Sequence, residues 1–178
     1  MKKKIFAITV SIISLLSPAG WASELKKDEL DKVVAFAKTL GVYDCYDFED
    51  AYRHTRMNQV HTVGEHSIYR IGCRLHAYNL AEIWFQRSDQ GSLKPIYFAK
   101  PILSSSRVVG LETVNELMNA AFDPETDEIS NHEKWAGHGD QSEGGTWKFE
   151  DGRFVLKEYH VDAVADQKVE PITVFGGE

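Results

Sequence analysis

Residues 137–145 read Gly-His-Gly-Asp-Gln-Ser-Glu-Gly-Gly, with Trp147 two positions further on in a strand-like run. A histidine and two carboxylates this close, His138, Asp140 and Glu143, could ligate a metal or exchange protons with a substrate, and His132 and Glu133 stand just upstream. Zinc sites, however, place two ligands on a shared helix face or use cysteine pairs, and neither pattern occurs here. A calcium loop needs acids at alternating positions and a distal bidentate glutamate, which residues 123–134 only partly imitate. The glycines offer a simpler account. Gly137, Gly139, Gly144 and Gly145 tolerate positive φ, and Asp140 can bond neighbouring N–H groups, so the segment is expected to be a structural corner turning residues 132–136 into residues 146–150. His138, Asp140, Glu143 and Trp147 remain a candidate functional loop, with no catalytic residue, metal or cofactor assigned.

Other chemistry has weaker signals. The serines at 104–106 and Ser142 lack the G-x-S-x-G elbow, and the seven histidines are scattered, so structural roles are expected for them. With 27 acids, no glycosidase-type carboxylate pair can be picked out. Trp84, Trp135 and Trp147 are expected to pack in or beside the core, although an exposed one would make a binding platform.

Elements that could position such residues follow from periodicity. Residues 27–40 place Leu30, Val33, Val34, Ala37 and Leu40 on one helical face, with acids in the first turn, Lys38 in the last and Gly41 beyond. From Ser67 the period becomes two: Tyr69, Ile71, Cys73, Leu75 and Ala77 alternate with Arg70, Arg74 and His76, and Ala81, Ile83 and Phe85 with Glu82, Trp84 and Gln86. With residues 95–101 these runs predict a β-meander with one face on a core. Leu111, Val114, Leu117, Met118 and Ala121 have helical spacing and predict a second short helix ended by Pro124. Residues 122–130 carry hairpin chemistry, and Asp151-Gly152 between alternating aromatics predicts another hairpin. The fold class is therefore α+β and β-rich, an antiparallel, sandwich-like arrangement with an N-terminal helix, in one domain over 23–178.

The first 22 residues carry Lys2, Lys3 and Lys4, then a twelve-residue, mostly apolar run, then small Gly20 and Ala22. That order predicts a signal peptide cleaved after Ala22, since twelve residues fall short of the ~20 that span a bilayer. Cleavage would take the formal charge from −7 to −10 by removing three lysines. Such acidity disfavours nucleic acid and anionic lipid and suits a cationic partner. An oxidising compartment would pair Cys45 with Cys73, a crosslink contributing about 3.5 kcal/mol on the chain-entropy model.

Cys73 with Ala77-Tyr78-Asn79, then Gly137, Gly139, Asp140, Trp147, Gly152 and Phe154 at their spacings, resemble the bacterial envelope family DUF1176, a domain of unknown function. The resemblance covers about residues 66–175, while residues 23–65 fall outside it, as in a shortened or divergent member. Gln141 stands where the family pattern has a cysteine, and the C-terminal stretch lacks that cysteine's natural partner. The resemblance implies an exported, β-rich protein and supplies no catalytic residues. The expected function is a binding or inhibitory module, periplasmic or secreted, that recognises a cationic protein or a cell-wall component. A hydrolase acting on an envelope substrate near residues 137–147, and a metal-binding periplasmic protein, are the alternatives.

Overall fold

The computed structural model describes residues 22–41, 48–88, 90–104, 107–135, 141–164 and 170–176. The expected leader and Cys45 lie outside them. The chain opens with β1 (Ser23–Glu24) and α1 (Lys27–Leu40), whose buried face is Leu30, Val33, Val34 and Ala37, as its periodicity predicts. Gly41 closes the helix at φ 63°, the left-handed conformation that glycine adopts without a Cβ penalty. A short helix, α2 (Glu49–Arg53), and one 3₁₀ turn lead into the strands.

Five strands follow: β2 (Gln59–Val63), β3 (His66–Leu75), β4 (Leu80–Ser88), β5 (Lys94–Pro95) and β6 (Phe98–Ser104). They are continued by β7 (Arg107–Val114), β8 (Glu116–Met118), β9 (Ala121–Asp123), β10 (Glu128–Ser130) and β11 (Glu133–Lys134). The long pair β12 (Ser142–Glu150) and β13 (Arg153–Asp162) and a final β14 (Ile172–Phe175) complete the chain. The first sheet runs β1-β2-β3-β4-β5, with β8 also on β4. The second runs β14-β13-β12-β10-β9, with β11 also on β12, while β6 and β7 pair as a separate arm. Every strand pairing is antiparallel. The β12–β13 turn is Asp151 at φ 50° and Gly152 at φ 78°, two successive positive φ values as an Asp-Gly hairpin requires.

Two cores lie on opposite faces of β3 and β4. The outer one joins Leu30, Val33 and Val34 of α1 to Tyr69, Ile71, Ile83 and Phe85. The inner one packs Ile68 and Trp84 against Phe98, Ile129, Trp147 and Tyr159, so the first sheet also faces the second. Burying either tryptophan contributes up to about 5 kcal/mol before its entropy cost is subtracted.

The expected one-sided meander is thereby corrected. Glu82, on the alternate face from Ala81 and Ile83, is fully buried together with Trp84, because β4 is covered on both sides. Leu75, expected inside, is exposed where β3 leaves the core. The helix expected over 111–121 is strand instead. Its residues enter β7, β8 and β9, where Ala81, Glu82 and Ile83 of β4 pair with Met118, Leu117 and Glu116, and Asn119 at φ 49° breaks any helical run. Tertiary pairing overrides the helical spacing, and the short second helix sits at 49–53.

Candidate functional site

The site grows from a strand-to-strand match. β11 and β12 pair so that Glu133 lies directly opposite Glu143, and the Trp135 N–H donates to the Gln141 carbonyl at 3.0 Å. Residues 133–134 thus run antiparallel to residues 142–143, while residues 137–140 of the expected corner lie outside the described residues. Two like charges face to face on a sheet repel. Lys100 of β6 resolves the conflict, its Nζ 2.6 Å from Glu143 Oε1 and 3.3 Å from Glu133 Oε2.

These groups border a cleft of about 370 Å³ lined by Lys100, Thr113, Asn131, Glu133, Trp147 and Tyr159 among others. Asn131 fixes one wall. Its N–H donates to the Gly145 carbonyl at 3.0 Å, and its Oδ1 accepts the Gly145 N–H at 2.8 Å. Trp147 is fully buried, donates from Nε1 to the Ala99 carbonyl at 2.9 Å and meets Phe98 edge-on at 5.3 Å. It ties the β6–β7 arm to the second sheet.

Gly144 and Gly145 serve a different purpose from the one their sequence suggests. Both lie inside β12 at ordinary strand φ, so neither makes the corner. A Cβ on Gly145 would come within 2.7 Å of Trp147 Cη2 and Tyr159 Cδ2, and one on Gly144 within 2.9 Å of His160 Nε2. For Gly144 the nearest obstacle to such a Cβ is the Asn131 backbone carbonyl; close approach of backbone at 144 and of side chains at 145, not positive φ, demands glycine here.

Electrostatics follow from burial. Desolvation alone would lower the Lys100 pKa, but Glu143 and Glu133 raise it, so the ammonium keeps its proton. The Glu133 pKa is raised from its ordinary value, first by burial, with Lys100 opposing and Glu143 adding to the rise. The Tyr159 hydroxyl is buried without a hydrogen-bond partner among the described residues, and burial plus the charge of Glu143 push its pKa up.

Of the candidate loop, His138 and Asp140 lie outside the described residues. Trp147 lines the cleft, and Glu143, only 6 % exposed, holds the lining Lys100. Glu133 joins them, whereas His132 is exposed and does not line the cleft. No group of three or more His, Cys, Asp or Glu side chains among the described residues could hold a metal ion. Lys100, Asn131 and Tyr159 escaped sequence reasoning because they come from separate elements that only the sheet pairing assembles. Trp84 and Trp147 are core residues as expected, but Trp135 is 45 % exposed.

A family model described as a protein of unknown function, DUF1176, matches residues 12–164. The match takes in residues 23–65, which the resemblance in sequence left out, and it stops at 164, short of 175. No curated protein and no solved structure matches the chain. With that match covering most of its length and the Ala77-Tyr78-Asn79 turn and Trp147 in place, this chain belongs to the DUF1176 family.

Proposed function

We propose that this protein is an exported binding or inhibitory module of the cell envelope, recognising a protein or cell-wall partner at the end of the molecule where the Lys100 cleft opens. The observation that carries the reading is the clamp on Lys100. A lysine held between two carboxylates and kept protonated is a poor nucleophile, but it orients polar groups well. The leader-like N-terminus and the acidity of the chain support export and a cationic partner steered in by charge. A Cys45–Cys73 crosslink fits the same compartment. Cys73 is buried in the outer core beside Phe48, which follows Cys45 by only three positions.

The experiment combines the leaderless protein with a panel of lysozymes at low and moderate salt and, separately, with pelleted cell-wall sacculi. Slowed lysis that weakens with salt, or co-pelleting, is the expected result. Unchanged lysis together with an empty pellet removes the proposal.

One observation favours a second reading, a hydrolase acting on an envelope substrate. Glu133 borders the cleft, and burial moves its pKa upward, the direction in which a general acid is tuned. That reading requires Glu133→Gln, His138→Ala or Asp140→Ala to abolish a hydrolytic activity while leaving the melting temperature unchanged.

A further inference from the structure

Beside the cleft, with Met118 and Glu133 as the shared wall, lies a second hollow of about 480 Å³ lined by His76, Tyr78, Asn79, Lys134 and Trp135. Two large aromatics are exposed in it, Tyr78 at 58 % and Trp135 at 45 %. Neither is there because its loop is loose. Asn79 Nδ2 donates to the Lys134 carbonyl at 2.9 Å, and the Lys134 N–H donates to Asn79 Oδ1 at 3.0 Å, so the side chain of one residue pairs with the backbone of the other as a strand would. Asn119 Nδ2 donates to the same Asn79 Oδ1 and to the His132 carbonyl, each at 2.8 Å. The His76 N–H closes the turn on the Asn79 carbonyl at 2.8 Å. Tyr78 and Trp135, each adjacent to a residue of this lock, are thus mounted on fixed backbone.

We infer that this hollow is an oligosaccharide subsite in which Tyr78 and Trp135 stack on sugar rings while Glu133, His76 and Lys134 bond their hydroxyls. A pyranose offers an apolar face of axial C–H groups and a rim of hydroxyls, which is what rigid amphipathic aromatics beside a few polar heads recognise. The volume falls within the roughly 300–1,000 Å³ of small-molecule sites. His76 Nε2 accepts from Arg74 Nε at 3.2 Å, which anchors the ring at the rim of the hollow. An extended peptide would need free backbone groups, yet the His76 N–H, the Asn79 carbonyl and both Lys134 backbone groups are already taken. A lipid surface would meet the Glu133 carboxylate in the wall of the hollow, which argues against a membrane. The inference deepens the binding-module proposal and rests on it.

The test uses the full leaderless protein with chitotetraose, cellotetraose and maltotetraose, followed by calorimetry and tryptophan emission. At least one glycan is expected to bind and to shift the emission, because Trp84 and Trp147 are buried and Trp135 is not. Tyr78→Ala and Trp135→Ala should each weaken binding about tenfold or more with the melting temperature unchanged. The subsite is overturned if none of the three binds at about 5 mM, or if binding survives both substitutions. It is equally overturned if Trp135→Ala abolishes only co-sedimentation with anionic phosphatidylglycerol vesicles. Should lysozyme or sacculus binding persist in both variants while no glycan binds, the module stands and the subsite falls.

Discussion

Lys100 Nζ lies 2.6 Å from Glu143 Oε1, and the two residues belong to different sheets, the β6–β7 arm and the second sheet. One ion pair therefore helps to fasten the arm over the cleft. Lys100→Met would leave Glu143, 6 % exposed, and Glu133 facing each other without a counter-charge. The expected loss is about 2 kcal/mol in urea unfolding, less than for a fully buried pair because Lys100 is partly solvated. Adding Glu143→Gln should recover part of that loss. A double variant no more stable than the single one would refute the clamp.

Gly144→Ala and Gly145→Ala test whether close approach fixes these positions. Both backbones are ordinary strand, so conformational strain predicts almost no effect, whereas overpacking predicts a loss of about 3 kcal/mol each. Thermal unfolding decides. For Gly145→Ala, loss of the edge-on order around Trp147 should also appear in the near-ultraviolet dichroism.

Two buried groups give opposed pH dependences. Burial, and then the charge of Arg70, lower the His61 pKa from 6.5 to about 4, and both its ring nitrogens lack partners among the described residues. Burial raises Glu82 from 4.5 to about 7 against the pull of Arg70, whose Nε donates to it at 2.6 Å, and of the Ala120 N–H. Below pH 6.5 the unfolded chain takes up a proton that folded His61 refuses until about 4, so His61 lowers stability as pH falls through that window. Between pH 4.5 and 7 folded Glu82 keeps a proton that the unfolded chain has released, so Glu82 lowers stability as pH rises. The two slopes cancel between 4.5 and 6.5. Relative to the parent, His61→Phe should lose stability with rising pH there, by up to about 1.4 kcal/mol per unit, and Glu82→Gln should show the opposite tilt. Guanidinium titrations at four pH values check both signs, and parallel profiles for all three proteins would contradict the assignment.

Asn119 combines a positive φ of 49° with three side-chain hydrogen bonds, to Asn79, His132 and the Leu80 N–H. Asn119→Gly keeps the backbone and loses the bonds, about 1–2 kcal/mol. Asn119→Ala adds a left-handed penalty of about 1 kcal/mol. Melting temperatures should fall in the order Asn, Gly, Ala; alanine at or above glycine would show that the backbone conformation is unimportant.

Legibility in the sequence tracked how local the determinant was. Helix α1, the hairpin of β9 and β10 and the Asp151-Gly152 turn each depend on residues within one or two turns of chain, and all stand where periodicity and turn chemistry put them. Residues 111–121 did not, because their spacing fits a helix and only pairing with β6, β4 and β10 makes them strand. The site was half visible. Glu143 and Trp147 could be named from the glycine-rich stretch, and Glu133 from its proximity. Lys100, 43 positions from Glu143, carries no local mark of its role. Trp135 looked like the other tryptophans, and only the Asn79 lock shows why it stays in solvent.

The hairpin of β3 and β4 is a party wall: Tyr69, Ile71 and Phe85 belong to one room and Ile68 and Trp84 to the other. Trimming the N-terminal helix would therefore not yield a smaller working protein with its cleft intact. It would strip one side of the wall to bare aliphatic and aromatic plaster, and such a truncate should clump rather than refold.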